Sequence, residues 1–269
     1  MSLTALRPTA TLTESEVLRA LDFVLDPELD EPITDLGFVR SVAVTDDGAV
    51  EVHLRLPTSF CSPNFAYLMA SDSKDAITAV AAGRPVTVEL DDHHDSAIIN
   101  TGLANDAGYK GTFGHEAEHD LEELRATFRR KAHTAAMERA LTGLLRARSD
   151  LTEAEVAGVR LADLPEGPSR DALLRRRAAL GLPERADALV LVDHQGQGFA
   201  EVDAPLQLRL ARATRISIDG NAHFCRGLLR TRYPGSGADQ AARPDGAEPA
   251  DARHDPTFIP VHDLFKEQR

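Results

Sequence analysis

Residues 38–56 read Phe-Val-Arg-Ser-Val-Ala-Val-Thr-Asp-Asp-Gly-Ala-Val-Glu-Val-His-Leu-Arg-Leu. From Phe38 to Thr45 and again from Ala49 to Leu56, apolar and polar side chains alternate, the period-2 pattern of strands with one buried face. Asp46-Asp47-Gly48 between them supplies the residues a tight reversal needs, so the stretch predicts a β-hairpin. Upstream, Thr13-Glu14-Ser15-Glu16 predicts a helix start, with Thr13 as cap and Glu16 three residues on. Val17, Leu18, Leu21, Val24 and Leu25 form its apolar stripe, and Asp26-Pro27 ends it because the residue before proline leaves the α region. Downstream, residues 57–64 read as a loop carrying Cys61. A helix through about Val80 and a third strand from Arg84 to Leu90 follow. This α-β-β-α-β unit closes within about 90 residues, enough for a small two-layer domain.

The remaining chain reads as a different kind of structure. Residues 91–114 are polar and rich in Gly and Asn, which predicts a long loop. A helix is expected from His115 to Arg148, burying Leu121, Leu124, Phe128, Ala132, Ala135, Leu141, Leu144 and Leu145. A second helical stretch, Leu151 to Leu180, is interrupted near Pro165 and Pro168. Ala188–Val192 and Leu206–Ile218 read as strands, and Asn221–Arg232 as a short helix. Residues 235–255 are Ala/Gly/Pro/Asp-rich and predict disorder, ahead of an apolar segment, 258–265, suited to docking. The expected class is α+β: a small two-layer α-β-β-α-β domain, then a mostly helical region and a small mixed α/β C-terminal part. The corresponding divisions are 1–92, a polar His-containing loop at 93–114, a helical and mixed extension at 115–232, and a linker with docking tail at 233–269.

Charge narrows the partners. The net charge of −13 is uneven: residues 1–124 carry 7 Lys/Arg against 23 Asp/Glu, whereas the rest nets +3. An acidic front half repels phosphate backbones and anionic lipid, so neither nucleic acid nor membrane is expected as a partner. With 5% aromatics and no Trp, a stacking platform for single strands is also disfavoured. No run of 18 apolar residues predicts a membrane span, and the first residues lack the apolar core of a secretory signal. Two cysteines do not make a disulfide framework, so a reducing cytoplasm is the expected location.

Chemistry-bearing residues fall into two groups. Cys61 precedes a helix start, where backbone N–H groups and the helix dipole favour thiolate, the form that grips soft metals. Cys225, between Phe224 and Leu228, is expected to pack in a core. His93 and His94 follow the third strand. His115 and His119 are spaced i, i+4 on one helical face and could share an ion. His115-Glu116-Ala117-Glu118-His119 also has the form of a metallohydrolase motif, with Glu116 as general base on zinc or iron. Favourable charge at a helix N-terminus accounts for Glu116 and Glu118 equally well. No nucleotide-binding glycine loop, C-x-x-C or G-x-S-x-G is present.

Asp26-Pro27-Glu28-Leu29, then Ile33-Thr34-Asp35-Leu36-Gly37-Phe38-Val39, a Gly-turned hairpin, and a Cys and Pro opening a helix together resemble the SufT/PaaD-type iron–sulfur cluster assembly domain. The resemblance covers about residues 13–90. Ser62 stands between Cys61 and Pro63, and Glu89 to Asp95 replaces a Trp- and Pro-containing closing strand, which suggests a specialised branch. The resemblance implies a maturation factor with Cys61 as the functional thiol and Asp26, Glu28 and Asp35 shaping its surroundings. It also implies iron or a transient Fe–S cluster as cargo, and a client metalloprotein or the assembly machinery as partner. Four cluster ligands exceed what two cysteines supply, so one chain would add histidines (His93, His94, His115, His119) to Cys61, or a homodimer would supply Cys61 twice with a second ligand from each subunit. A transient, transferable metal or cluster is expected rather than a tightly held one. On this reading the chain is an assembly or carrier protein more than an enzyme; a metallohydrolase and a non-catalytic protein-binding adaptor are the alternatives.

Overall fold

The computed structural model describes residues 12–114 and 121–233. The described residues fall into two compact units: one comprises Leu12–Leu25, Glu31–Asn105 and Leu229–Tyr233, the other Asp26–Asp30, Asp106–Gly114 and Leu121–Leu228.

The first unit opens with α1 (Glu14–Leu21). Thr13 caps it as predicted: its Oγ1 accepts from the Glu16 N–H, while Glu16 Oε2 accepts from the Thr13 N–H at 2.9 Å. Val17, Leu18 and Leu21 are buried. Two short strands, β1 (Leu25–Asp26) and β2 (Glu31–Pro32), pair with each other. The predicted hairpin follows as β3 (Val39–Val44) and β4 (Val50–Arg55), antiparallel, with Gly48 at φ +85° in the reversal. That left-handed backbone is where glycine has no steric penalty.

From β4 the chain crosses through α2 (Pro63–Ala81) to β5 (Val86–Asp91), which pairs parallel to β4 in the order β3-β4-β5. A helical crossover is what a parallel pair requires. Val50, Val52, Leu54, Val88 and Leu90 are buried, while Glu51, His53, Thr87, Glu89 and Asp91 alternate with them on the other sheet face. α1 packs on α2 and β3, and α2 on β5. The expected two-layer α-β-β-α-β arrangement is therefore present, and the class is α+β.

Residues 91–114 differ from the predicted loop. Ser96–Ala104 forms α3 and Gly108–Phe113 forms α4. The polar composition hides an i, i+4 pair, Ile99 and Leu103, both buried. Asn100, which reads as a loop former, instead clamps the sheet edge: its Oδ1 accepts from the Leu90 N–H at 2.9 Å and its Nδ2 donates to the Leu90 carbonyl at 3.2 Å.

In the second unit, α5 is described over Leu121–Ala147; its expected start at 115–120 lies outside the described residues. The helical stretch expected from Leu151 to Leu180 is interrupted near Pro165 and Pro168 as read: two 3-10 turns, Glu155–Gly158 and Leu161–Asp163, precede the break, and α6 (Pro168–Ala179) follows it. Gly158 and Pro165 interrupt the helical run, and Gly167 at φ +138° with Pro168 restarts it. The strand expected at Ala188–Val192 is an irregular buried run with isolated bridges, Arg160 to Leu189 and Val192 to Gly198. Arg177 pins this segment, donating to the carbonyls of Pro183 (2.8 Å) and Leu189 (2.9 Å). The strand expected at Leu206–Ile218 is also overturned, since Ala204–Arg232 is a single helix, α7. Leu206, Leu208 and Leu210 alternate in sequence, yet only Leu208 is buried; Ala204, Leu208, Ala211, Ile218 and Ala222 make a helical stripe. Leu, Gln, Arg and Ala are also strong helix formers. Leu141, Leu144, Val156, Leu161, Leu173, Val190 and Leu208 share one core. At its edge the fully buried Glu138 accepts from Thr142, Arg212 and Arg215. Burial raises its pKa, but these hydrogen bonds outweigh that and hold it below the usual carboxylate value. Residues 234–269, which contain the expected linker and docking tail, lie outside the described residues.

Candidate functional site

The parallel strands β4 and β5 end on the same side of the sheet and run into two loops, 56–62 and 92–95. Ligand-binding loops favour such strand ends in open α/β sheets because both loops emerge together there. Cys61 lies in the first loop, one residue before the helix cap Ser62, with Pro63 opening α2. Its thiol is free and half-buried, and Sγ lies 3.6 Å from Thr58 Oγ1. Thr58 Oγ1 also accepts from the Phe60 N–H at 3.1 Å, tightening the loop. Phe60 beside it is 80% exposed.

His93 ties the second loop to the first. Its Nε2 lies 2.8 Å from the Cys61 carbonyl oxygen, and its Nδ1 accepts from the Asp95 N–H at 3.1 Å. With Nδ1 as acceptor, Nε2 carries the proton and donates to Cys61. The His94 N–H donates to the Ser59 carbonyl at 2.9 Å, and the His94 ring lies 5.9 Å from that of Phe60. Cys61, His93 and His94 are thus brought to one loop pair, with both His93 nitrogens engaged in holding it.

Arg232 and Tyr233 close on the same loops. Arg232 donates to the Leu56 carbonyl at 3.1 Å and to the Asp92 carbonyl, and the Tyr233 hydroxyl donates to Asp92 Oδ2 at 3.2 Å. Arg55, 1% exposed, donates through Nε to the Gly37 carbonyl at 3.2 Å and sits 5.3 Å from the centre of the Tyr233 ring.

The other expected site residues are placed differently. Asp26 Oδ1 accepts from the N–H groups of Glu28 (2.8 Å) and Leu29 (2.9 Å), so its carboxylate builds the Asp-Pro-Glu-Leu turn. Glu28 Oε1 accepts from Asn221 at 3.1 Å, and Arg176 pairs with Asp30 at 2.8 Å, all within the second unit. Burial raises the Asp30 pKa, with Arg176 opposing it. Asp35 lies in the turn that leads into β3, where the Leu36 N–H bonds the Pro32 carbonyl. His115, Glu116 and His119 lie outside the described residues. Cys225 is half-buried on α7 beside the 66% exposed Phe224, so it is less enclosed than the core position expected for it.

Among the described residues, the group that brings three metal-ligating atoms within 4.8 Å of one another is His53, Glu89 and Asp91. The group has no signature in the linear sequence. Its residues occupy polar alternate positions of two strands, and only the parallel register, with His53 opposite Glu89, puts them together.

A small α+β domain with a cysteine loop at its parallel strand ends thus defines the first unit. Residues 14–90 match the family described as iron-sulfur cluster assembly protein. An uncharacterized protein of Methanocaldococcus jannaschii is 33% identical over 89 residues, which cover 33% of this chain and 92% of that relative. The chain belongs to the iron–sulfur cluster assembly protein family, through residues 14–90. No solved structure matches it, and no helix among the described residues is long and apolar enough to cross a membrane.

Proposed function

We propose that this protein is a cytoplasmic maturation factor that takes up iron or an Fe–S cluster on Cys61 and passes it to a client metalloprotein. The observation that carries this reading is the half-buried but free Cys61 thiol on a loop whose backbone is fixed by His93. A thiolate is the ligand that soft iron–sulfur cargo requires. One such sulfur per loop grips the cargo with few bonds, which suits release to a client better than permanent storage. His93 acts as a positioning residue: its two hydrogen bonds commit its ring nitrogens to the loop and keep Cys61 presented. The exposed Phe60 next to the thiol offers an apolar contact for whichever protein receives the cargo.

Anaerobic reconstitution with ferrous iron and sulfide, read by bound iron, acid-labile sulfide and visible absorption, tests the reading. The wild-type protein should take up both, and Cys61→Ala should lose the absorption while keeping its circular dichroism. Uptake at the wild-type level by Cys61→Ala would remove the thiol from the function.

A further inference from the structure

On the sheet face away from the buried valines and leucines, His53 of β4 stands opposite Glu89 of β5, and Asp91 follows two residues along the same strand. The three ligand atoms lie within 4.8 Å of one another, with His53 Nδ1 at 2.9 Å from Asp91 Oδ1. Ligands of one first-row ion with bonds of about 2.1 Å sit roughly 3.0 Å apart in octahedral and about 3.4 Å apart in tetrahedral geometry. Small side-chain rotations therefore suffice to close the three atoms on one ion.

The neighbouring groups complete the arrangement. Glu51 Oε1 lies 3.0 Å from His53 Nε2, and Arg40 donates to Asp91 Oδ2 at 2.9 Å. A carboxylate on the far nitrogen of an imidazole fixes the ring and makes the near nitrogen a better donor, as in carboxylate–histidine–metal arrangements. Arg40 occupies the outer oxygen of Asp91 and leaves Oδ1 directed at His53. The ligands stand on adjacent strands of a hydrogen-bonded ladder, which is stiffer than a loop. Their side chains are also solvent-accessible, 27% for His53 and 16% for Asp91, so an ion can enter and leave.

We propose that His53, Glu89 and Asp91 form a binding site for a divalent first-row transition cation, separate from the Cys61 thiol. One imidazole nitrogen with two carboxylate oxygens suits ferrous iron, zinc, manganese or cobalt better than a thiolate-seeking soft ion. Water fills the remaining positions, and the ion takes the His53 Nδ1 lone pair as that nitrogen's proton passes to solvent.

Cobalt(II), titrated anaerobically into the full chain and followed by its visible absorption and by equilibrium dialysis, is the probe. The wild-type protein should bind one equivalent more than His53→Ala or Glu89→Gln, and Cys61→Ala should keep that equivalent. Circular dichroism establishes that each variant is folded. Should His53→Ala fail to fold, the isosteric Glu89→Gln decides alone. Wild-type stoichiometry and affinity in folded Glu89→Gln would overturn the site, as would loss of the equivalent in Cys61→Ala. Neither result bears on cluster uptake by Cys61, which is read from sulfide and iron in the separate reconstitution.

Discussion

His93 is tied at both ring nitrogens, one to the Cys61 carbonyl and one to the Asp95 N–H, and it is only 6% exposed. Replacing it with Ala removes both hydrogen bonds and leaves part-buried backbone groups without them, a cost of roughly 1–3 kcal/mol. The loop carrying Cys61 should then open more often. Alkylation of the Cys61 peptide, followed by mass spectrometry so that Cys225 is counted separately, should quicken several-fold in His93→Ala. Unchanged alkylation and unchanged melting would show that His93 does not hold the loop. At this scale Cys61 is legible because a lone cysteine between a strand and a proline-led helix is visible in one dimension. His53 is not, because its partner Asp91 stands 38 residues away, on a strand whose direction the sequence leaves open.

Elements are legible where a local signal and the tertiary environment agree. The α1 cap and the β3–β4 reversal both depend on residues within a few positions of one another, and both form where Thr13, Glu16 and Gly48 indicate. Thr13→Ala should cost about 1 kcal/mol, since Thr13 satisfies a first-turn N–H and receives Glu16 in return. Chemical denaturation should show this as a lower midpoint with an unchanged slope; a midpoint equal to wild type would mean the box contributes nothing in this context. Where two periods compete, the sequence misleads. Leu206-Gln207-Leu208-Arg209-Leu210 alternates like a strand, but the buried positions of α7 follow a helical period, and Leu206 and Leu210 face outward at 49% and 55% exposure. The α3 helix escapes notice for the opposite reason: its apolar pair is separated by Asn100, Thr101 and Gly102, which read as loop residues until Asn100 is seen bonding the edge of β5.

For the molecule as a whole, acid should act through a group that the sequence analysis does not single out. His133 on α5 is 2% exposed, its Nε2 has no hydrogen-bond partner among the described residues, and its pKa is pushed down to about 4. Burial is the main cause, because it penalises the charged ring, and the nearby Arg177 guanidinium adds repulsion. In the unfolded chain the same imidazole titrates near 6.5. Above that value both states are neutral and stability is at its full level. As pH falls toward 4, the unfolded chain binds a proton that the folded protein refuses. Stability is lost through this window, by roughly 3 kcal/mol when each pKa unit is worth about 1.36 kcal/mol. His133→Leu removes the difference in proton uptake. Urea unfolding between pH 7 and pH 4, with hydrogen exchange of α5 reporting on the second unit, should therefore show a shallower loss in His133→Leu than in wild type. The carboxylates titrate in both proteins, so their contribution cancels in the comparison, and parallel curves would rule out His133 as the source of acid sensitivity.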